Sequence, residues 1–252
     1  MLYTILNLNT GKADNASDFM PEFKEGKVKK DGTPYAGEQG MTIAQQQAMW
    51  FKGCALDPIT AKILLVTTMD ETMDIINMGA GMSEPDLIEW TWNKIYETWA
   101  RGAKLVTHNG DNYDLPMLIT RSIINGIIPY NITDKWGFKD WILDTGPMWL
   151  SKKSANFAYE KRKWSVDIIA RALGLGGKDG TGAMFEEWWF KKREKALSFA
   201  TQEIMLQREI YLRLATKRQF EKKTNEDFFA GLEEKPERGK FTEEYLNRKP
   251  DF

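Results

Sequence analysis

The amino-acid sequence predicts an α/β fold: a mixed five-stranded sheet, with three antiparallel strands and two parallel ones, flanked by helices. Two observations favour it. Three short apolar segments with strand character lie within residues 2–69, and a helix, a strand, a helix and a strand follow between residues 85 and 144. Strands joined by hairpins pair antiparallel, whereas strands separated by a helix can pair in parallel, so this order produces both kinds of pairing.

The composition excludes several classes of protein. Of 252 residues, 28% are charged and 42% hydrophobic, and the net charge is −1, so any nucleic-acid site would be a local patch on a neutral globular body. The one cysteine, Cys54, excludes an intramolecular disulfide and predicts a reducing, cytoplasmic location. The one histidine, His108, excludes His-rich zinc sites. No apolar run approaches the roughly 20 residues of a membrane span.

The first predicted strand covers residues 2–8, and a polar insertion follows it. Residues 12–48 are rich in Gly, Lys and Asp and predict an inserted loop or flap rather than a separate domain. Thr42 is expected to cap a short helix near the end of the flap. The middle of the flap is basic, with four lysines: Lys24, Lys27, Lys29 and Lys30. A solvated loop and a nucleic-acid clamp are both compatible with this charge.

Two further strands are predicted at residues 50–56 and 62–69. The turn-forming residues 57–61 between them indicate a hairpin, which would complete a three-stranded antiparallel unit. Residues 85–99 are predicted as a helix with a buried apolar face, and Ser83 is its expected N-cap.

A short strand at residues 104–107 leads into a polar corner. His108, Asn109 and Gly110 form the corner, and Asp114 lies in the first turn of the predicted helix at residues 115–124. Open α/β sheets bind ligands at the carboxyl ends of their strands, so a carboxylate here is a candidate functional group. The alternative is that Asn and Asp serve only as turn and capping residues.

The C-terminal half predicts one more strand and two helices. The strand lies at residues 141–144, and a helix over residues 164–175 ends at a pair of glycines. A long helix is predicted over residues 194–217. We therefore expect one domain over residues 1–217 and a charged helix or tail over residues 218–252.

Three polar residues outside the corner bear on the interpretation that follows. Asn7 and Asn9 project to the same side of the first strand, because side chains alternate along an extended chain. Glu203 lies on the long helix. The alternatives are a strand end with two turn-forming asparagines and an exposed helix glutamate.

The corner resembles the second motif of the DEDD (DnaQ-like, RNase H-fold) 3'→5' exonucleases, roughly His-Asn-Gly-x-x-Phe-Asp-Leu-Pro-x-Leu. Tyr113 stands in the Phe position, and Asp114 in the position of the metal-binding Asp. The end of the first strand resembles the first motif, hydrophobic-Asp-x-Glu-Thr. Thr10 is kept there, but Asn7 and Asn9 replace both carboxylates.

The third motif of that family, Tyr-Cys-x-x-Asp-Val…Leu-Tyr, resembles residues 199–211. Phe199 stands for its tyrosine and Glu203 for its Asp, while Ser198 lies where one subfamily keeps a histidine. Residues 173–182 resemble the Leu-Gly-x-x-Gly-Lys…Gly segment of the stand-alone exonucleases related to family-B polymerase proofreading domains. The resemblance thus covers roughly residues 2–211 and implies an RNase H-like sheet.

The resemblance implies phosphodiester hydrolysis by two divalent ions, Mg²⁺ or Mn²⁺, held by four carboxylates. Carried onto this chain, the catalytic positions are Asn7, Asn9, Asp114, Glu203 and Phe199, and the first four are the metal positions. The implied contacts to single-stranded DNA, or to RNA, at its 3' end are Leu8, Thr10, His108, Asn109 and Tyr113. Tyr113 could stack on a base or belong to the core.

Two of the four implied carboxylates are missing. Asn offers an oxygen without charge, and Phe199 cannot form a hydrogen bond with a water molecule. The sequence therefore predicts a member of the exonuclease family that cleaves very poorly as written. Three interpretations stay open: an inactivated variant of an active nuclease, a natural pseudo-exonuclease that still binds single strands, and a scaffold protein without a nucleic-acid partner.

Overall fold

The structure is a computed structural model that describes residues 2–128, 141–148 and 165–230, with side chains as far as residue 215. The chain forms two compact units, Met1–Tyr211 and Leu212–Phe252. Residues 231–252 of the predicted charged tail lie outside the described residues. Within the described ranges, no helix combines the length and apolar character needed to span a membrane.

The central sheet has five strands: β1 (Tyr3–Lys12), β2 (Ala61–Asp70), β3 (Ile75–Met78), β4 (Lys104–Thr107) and β5 (Ile142–Asp144). Their spatial order is β3-β2-β1-β4-β5. β1, β2 and β3 pair antiparallel, while β4 pairs in parallel with both β1 and β5. The predicted fold class, three antiparallel and two parallel strands flanked by helices, is confirmed.

One of the predicted strands is wrong. Residues 50–56 belong to the end of helix α1 (Ile43–Gly53) and to the 3₁₀ turn Cys54–Leu56. A capping box at Thr42 starts α1: its hydroxyl accepts from the Gln45 backbone N–H, and the Gln45 side chain accepts from the Thr42 backbone N–H. This local cap starts a helix that continues through the apolar residues after it. Strand propensity alone does not take such a cap into account.

The third antiparallel strand is instead β3, which the sequence pattern did not predict. A tight turn after β2 joins the two strands, and the Asp70 carboxylate accepts the backbone N–H groups of Thr72 and Asp74 at 2.9 and 3.3 Å. Met73 adopts a positive φ of 69° in this turn. The Asp side chain thereby replaces the Asn-Gly or Asp-Gly pair that would have marked a hairpin in the sequence.

The helices after α1 are α2 (Glu84–Ala100), α3 (Asp114–Ile124), α4 (Thr145–Met148), α5 (Val166–Ala172), α6 (Phe185–Lys191) and α7 (Arg193–Ala230). The predicted cap of α2 is present, since the Ser83 hydroxyl accepts from the Asp86 backbone N–H. Helices were predicted at the positions of α2, α3, α5 and α7. The aromatic helix α6 was not predicted, and α7 extends beyond its predicted end.

Two groups of buried side chains hold these elements on the sheet. The first joins β1, β2 and β4 to α2 and α3 through residues such as Leu6, Val66, Ile88 and Leu118. The second joins α6 and α7 to β2 and includes Leu65, Phe185, Trp188 and Phe199. The end of β1 therefore lies beside α3 and beside α7, which determines the position of the site.

The predicted flap has little regular structure. It contains the 3₁₀ turns Ala16–Phe19 and Gly37–Gly40 and an isolated bridge between Val28 and Pro34. Its basic residues Lys24, Lys27, Lys29 and Lys30 are all exposed. Its use as a nucleic-acid clamp stays a prediction.

Candidate functional site

A cleft of about 1190 Å³ opens where β1, the corner after β4, α3 and α7 meet. Nine of the ten predicted site residues line it: Asn7, Leu8, Asn9, Thr10, His108, Asn109, Tyr113, Asp114 and Glu203. The tenth, Phe199, is not among the lining residues. Three pieces of chain that are distant in sequence thus contribute side chains to one cleft.

Asn7 sits between two residues of α7. Its Nδ2 donates to Glu203 Oε2 at 3.2 Å, and its Oδ1 accepts from Gln207 Nε2 at 3.2 Å. An asparagine can donate and accept at once, whereas an ionised aspartate can only accept. The amide therefore matches both neighbours, and a carboxylate at this position would face Glu203 with like charge.

Asn9 projects to the same side of β1 as Asn7, as the alternation of the strand predicts. Its side chain is buried, and its Oδ1 has no hydrogen-bond partner among the described residues. An unsatisfied buried acceptor is costly and is usually explained by a function or a bound group. Asn9 itself lines the cleft, although this oxygen is shielded from solvent.

Thr10 and Tyr113 connect β1 to the start of α3. The two hydroxyls lie 2.5 Å apart, and both lie within hydrogen-bond distance of the carbonyl oxygen of Ala55, at 2.5 Å from Thr10 and 3.2 Å from Tyr113, so their two protons serve two of these three contacts. Burial raises the pKa of Tyr113 to about 12, so its hydroxyl stays protonated. Tyr113 packs partly against the core while its ring also borders the cleft.

The corner after β4 is held by Asp144, at the end of β5. Its carboxylate accepts the backbone N–H groups of Asn109 at 2.6 Å, Asp111 at 3.1 Å and Gly146 at 3.0 Å. Asn109 adopts a positive φ of 64°. At Gly110, a Cβ atom would lie 2.3 Å from the Thr107 hydroxyl, so only glycine fits the sharp turn.

Asp114 is 4% exposed and accepts the backbone N–H of Leu8 at 2.9 Å. The pairing of β1 with β4 ends at Ile5 and Val106, so on that edge of β1 the carboxylate takes the place of a strand partner. Burial raises the pKa of Asp114 to about 7; the nearby carboxylates of Glu203 and Asp144 add to the rise, and the Leu8 N–H opposes it.

Glu203 is not an exposed helix glutamate, since its side chain is 13% exposed. Its Oε1 forms an ion pair with the ammonium group of Lys178, and its Oε2 accepts from Asn7. The Lys178 ammonium also lies 4.9 Å from the ring centroid of Phe199. Phe199 is 2% exposed and packs against Trp188, so it supports the lysine from the core and does not reach a water molecule in the cleft.

Three residues at the site had no role in the sequence interpretation: Asp144, Lys178 and Gln207. Each of these residues has a sequence feature by which it could have been recognised. Asp144 ends the strand that is parallel to β4, Lys178 is the lysine of the Leu-Gly-x-x-Gly-Lys segment, and Gln207 lies one helical turn after Glu203, on the same face. A systematic search of strand ends and of positions i+4 would have found two of them.

The donor atoms do not fit the pair of divalent ions that the family resemblance implies. Asp114 and Glu203 are the only carboxylates among the four implied ligands, both oxygens of Glu203 are paired within the chain, and a lysine ammonium lies against them. In the described part of the chain, no three His, Cys, Asp or Glu side chains come together as a metal-binding group. One Mg²⁺ can be held by one or two carboxylates with water molecules, but this set lacks the four carboxylates implied for a pair of ions.

Comparisons with known proteins agree with the fold and with the motifs. A family model described as a predicted 3'-5' exonuclease related to the exonuclease domain of PolB matches residues 51–248, more than half of the chain and beginning after Asn7 and Asn9. No curated protein matches the sequence.

Among solved structures, the family B DNA polymerase from the hyperthermophilic archaeon Pyrobaculum calidifontis is similar, with a TM-score of 0.50 and 10% identity. The similarity covers 84% of this chain and 24% of the polymerase, and at such identity it shows the fold alone. The family resemblance predicted from the sequence is confirmed by this match, which covers the second and third motifs. The chain belongs to the family of predicted 3'-5' exonucleases related to the exonuclease domain of PolB.

Proposed function

We propose that this chain binds the 3' end of single-stranded DNA in the cleft and, as its sequence stands, hydrolyses it very poorly. The observation that carries the proposal is the meeting of Asn7, Asn9, Asp114 and Glu203 in one cleft, in a member of an exonuclease family. These are the four positions that hold the metal ions in the nucleases whose motifs this chain resembles.

The depth of the site favours a single strand. Asn7, Asn9 and Asp114 are each less than one tenth exposed and form the floor of the cleft. A floor buried to this extent is reached most easily by a strand whose last nucleotide is unpaired, because an unpaired nucleotide can leave the stack and enter a pocket. Asn9 lines this floor, and once its side chain turns toward the strand its oxygen can accept from the terminal 3' hydroxyl.

The rim offers contacts for the backbone and the bases. Lys12 and Lys52 line the cleft and can neutralise phosphates, and the ring of Phe51 lies beside them, 4.6 Å from the Lys12 ammonium. Lysine and an aromatic ring in alternation are the usual means of binding single strands without reading their sequence.

Cleavage should be weak because the charge that activates a metal-bound water is missing. Two of the four implied carboxylates are asparagines, and Glu203 is already neutralised by Lys178. Phe199 cannot orient a water molecule. Mg²⁺ or Mn²⁺ would serve catalysis only once the two carboxylates are restored.

Two experiments test the proposal. The first measures binding of fluorescent oligo(dT) at several salt concentrations. We expect log K to fall with log[salt] with a slope of about −1.5, the value for roughly two neutralised phosphates. Lys12→Gln and Lys52→Gln should each weaken binding. Lys62→Gln is the control, because Lys62 pairs with Asp14 and does not line the cleft. Absence of binding would favour a scaffold role.

The second experiment restores the missing carboxylates with Asn7→Asp and Asn9→Glu together. The double variant should shorten 5'-labelled single-stranded DNA from its 3' end in Mg²⁺ or Mn²⁺, and a 3'-phosphorylated strand should bind more weakly than one with a free hydroxyl. If the double variant does not cleave but the unaltered chain binds, the chain is a binding protein that needs more than these carboxylates to cut. Oligo(rU) in place of oligo(dT) separates DNA from RNA.

A natural non-cleaving protein is the second candidate, and one observation favours it. The Asn7 amide donates to Glu203 and accepts from Gln207, so position 7 fits its surroundings better as an amide than as a carboxylate while no dication is bound. In that case Asn7→Asp alone should lower stability in EDTA, and the unaltered chain should bind single strands equally well with and without divalent ions.

A further inference from the structure

Lys178 lines the cleft, and the proposed function uses it only as the cation that neutralises Glu203. Its ammonium pairs with Glu203, and the two side chains are only 11% and 13% exposed. A lysine this deeply placed beside a carboxylate costs conformational entropy and desolvation, so its position has to be imposed by the surrounding chain.

Three hydrogen bonds impose that position. The backbone N–H of Lys178 donates to Asp167 Oδ1 at 2.7 Å, and the neighbouring N–H of Asp179 donates to Gln202 Oε1 at 3.0 Å. The Gln202 Nε2 in turn donates to the carbonyl oxygen of Gly177 at 3.3 Å. The loop that carries the lysine is thus tied both to α5 and to the residue next to Glu203 on α7.

The surroundings of the ammonium are those of a bound cation. One side faces the Glu203 carboxylate, and another faces the ring of Phe199, with 4.9 Å between the ammonium and the ring centroid. A desolvated ammonium over an aromatic ring gains a favourable cation–π interaction.

The remaining oxygen of Glu203 is also used. Asn7 Nδ2 donates to Oε2, so the carboxylate has one donor from the chain on each oxygen. We infer that the Lys178 ammonium is the resident cation of this cleft and that, with the neutral Asn7 amide on the other oxygen of Glu203, it keeps divalent metal ions out of the cleft in the chain as written. Strand binding at the cleft is then independent of divalent ions.

The inference rests on the proposed function only in taking the cleft as the site for the strand. Its test contains no nucleic acid: Mn²⁺ is titrated into the unaltered chain and its variants, and free Mn²⁺ is followed by electron paramagnetic resonance. DNA binding can therefore fail while the inference stands, and the inference can fail while DNA binding stands.

Lys178→Met removes the charge and keeps most of the side-chain length. We expect this variant to bind Mn²⁺ at least about tenfold more tightly than the unaltered chain, since a repelling charge a few ångströms from the ion is lost. Adding Glu203→Gln to Lys178→Met should abolish the gain. Lys178→Arg, which keeps the charge, should bind Mn²⁺ as weakly as the unaltered chain.

Lys191→Met is the matched control, because Lys191 also pairs with a glutamate, Glu187, on the exposed surface of α6. It should leave Mn²⁺ binding unchanged. Tight Mn²⁺ binding by the unaltered chain that Glu203→Gln removes would overturn the inference, as would equal Mn²⁺ affinity in the unaltered chain and in Lys178→Met.

A second measurement keeps the test decisive if Lys178→Met does not fold. The thermal unfolding midpoint of the unaltered chain is compared in EDTA and in millimolar Mn²⁺, because an ion that binds only the native state raises it. We expect no shift. A rise in the midpoint that is lost in Glu203→Gln would show that the cleft takes the metal in spite of Lys178.

Discussion

The two sides of the cleft are held in different ways. On the corner side, from His108 to Asp114, backbone N–H groups make the defining bonds: three donate to Asp144, and that of Leu8 donates to Asp114. On the helix side, the bonds run between side chains, from Gln207 through Asn7 and Glu203 to Lys178. A backbone-held site tolerates few substitutions at its acceptors, whereas a side-chain network can be altered one residue at a time.

This difference matches where the chain departs from the family pattern. The corner keeps the carboxylate of the second motif as Asp114, with Tyr113 in place of its Phe. Of the three positions that depart from a metal-binding carboxylate of the family, Asn7 and Glu203 lie in the helix-side network, and Asn9 lies beside it without a bond to it. Substitutions on the two sides should therefore change the stability of the chain by different amounts. Four substitutions test this.

The largest effect is expected at Asp144, the acceptor that holds the corner. Asp144→Ala leaves three backbone N–H groups without their partner and should lower the free energy of unfolding by about 3–5 kcal/mol. Asp144→Asn is the matched control. Its Oδ1 can still accept from Asn109 and Gly146, so only the bond to Asp111 is lost. Urea unfolding measures both, and equal losses would contradict the proposed role of the carboxylate.

Asp114 should make stability depend on pH. Its pKa in the folded chain is raised from 3.8 to about 7, so between these values the native state binds more protons than the unfolded state. Stability should then fall as pH rises through that window. Asp114→Asn keeps the oxygen that accepts from Leu8 and removes the charge, so it should stabilise the fold at pH 8 by about 2–4 kcal/mol and have little effect at pH 4.

Unfolding of both chains by urea in EDTA at pH 4, 6 and 8 checks this prediction. The difference between the two chains should grow with pH. A variant that is less stable than the unaltered chain at pH 8 would show that the ionised carboxylate is favoured in the fold.

Lys178→Met should destabilise the chain in EDTA by about 2–3 kcal/mol, because it leaves a largely buried carboxylate without its cation. Adding Glu203→Gln should recover part of the loss, since the unpaired charge is then gone. A double-mutant cycle from thermal or urea unfolding gives the coupling energy of the pair. A coupling near zero would contradict the resident-cation inference independently of any metal titration.

Tyr113→Phe should have the smallest effect, about 1 kcal/mol, through loss of the hydroxyl that contacts Thr10 and Ala55. The ring that borders the cleft remains, so oligo(dT) affinity should be unchanged. Tyr113→Ala removes the ring as well and should weaken binding if the ring stacks on a base. Equal affinity in both variants would assign Tyr113 to the core alone.

Much of this architecture can be predicted from the sequence because its signals are local. Ser83 caps α2, the polar corner from His108 to Gly110 marks the turn after β4, and strand and helix periods identify most elements. The strand predicted at residues 50–56 is wrong because the cap at Thr42 decides the local structure, and an apolar stretch is compatible with either state. β3 was missed because its turn depends on an Asp side chain rather than on a recognisable dipeptide.

The residues of the site can be predicted from the sequence, but the hydrogen bonds and ion pairs between them cannot. The motifs predicted that Asn7, Asp114 and Glu203 share one site. The partners of Glu203 could not be predicted, because they depend on where a distant loop meets helix α7. Phe199 illustrates the limit: its position in the motif implied a place beside the reacting water, and only the packing of α6 places it in the core.

The bond from the Leu8 N–H to Asp114 joins residues 106 positions apart, and the bonds from Asn7 reach 196 and 200 positions along the chain. Contacts of such sequence separation form late, after most of the loop-closure entropy has been lost. The cleft therefore cannot be assembled by a fragment or by a partly folded chain. The Leu8 amide should exchange its hydrogen with solvent only through global unfolding, which makes it a direct reporter of whether the whole sheet is intact.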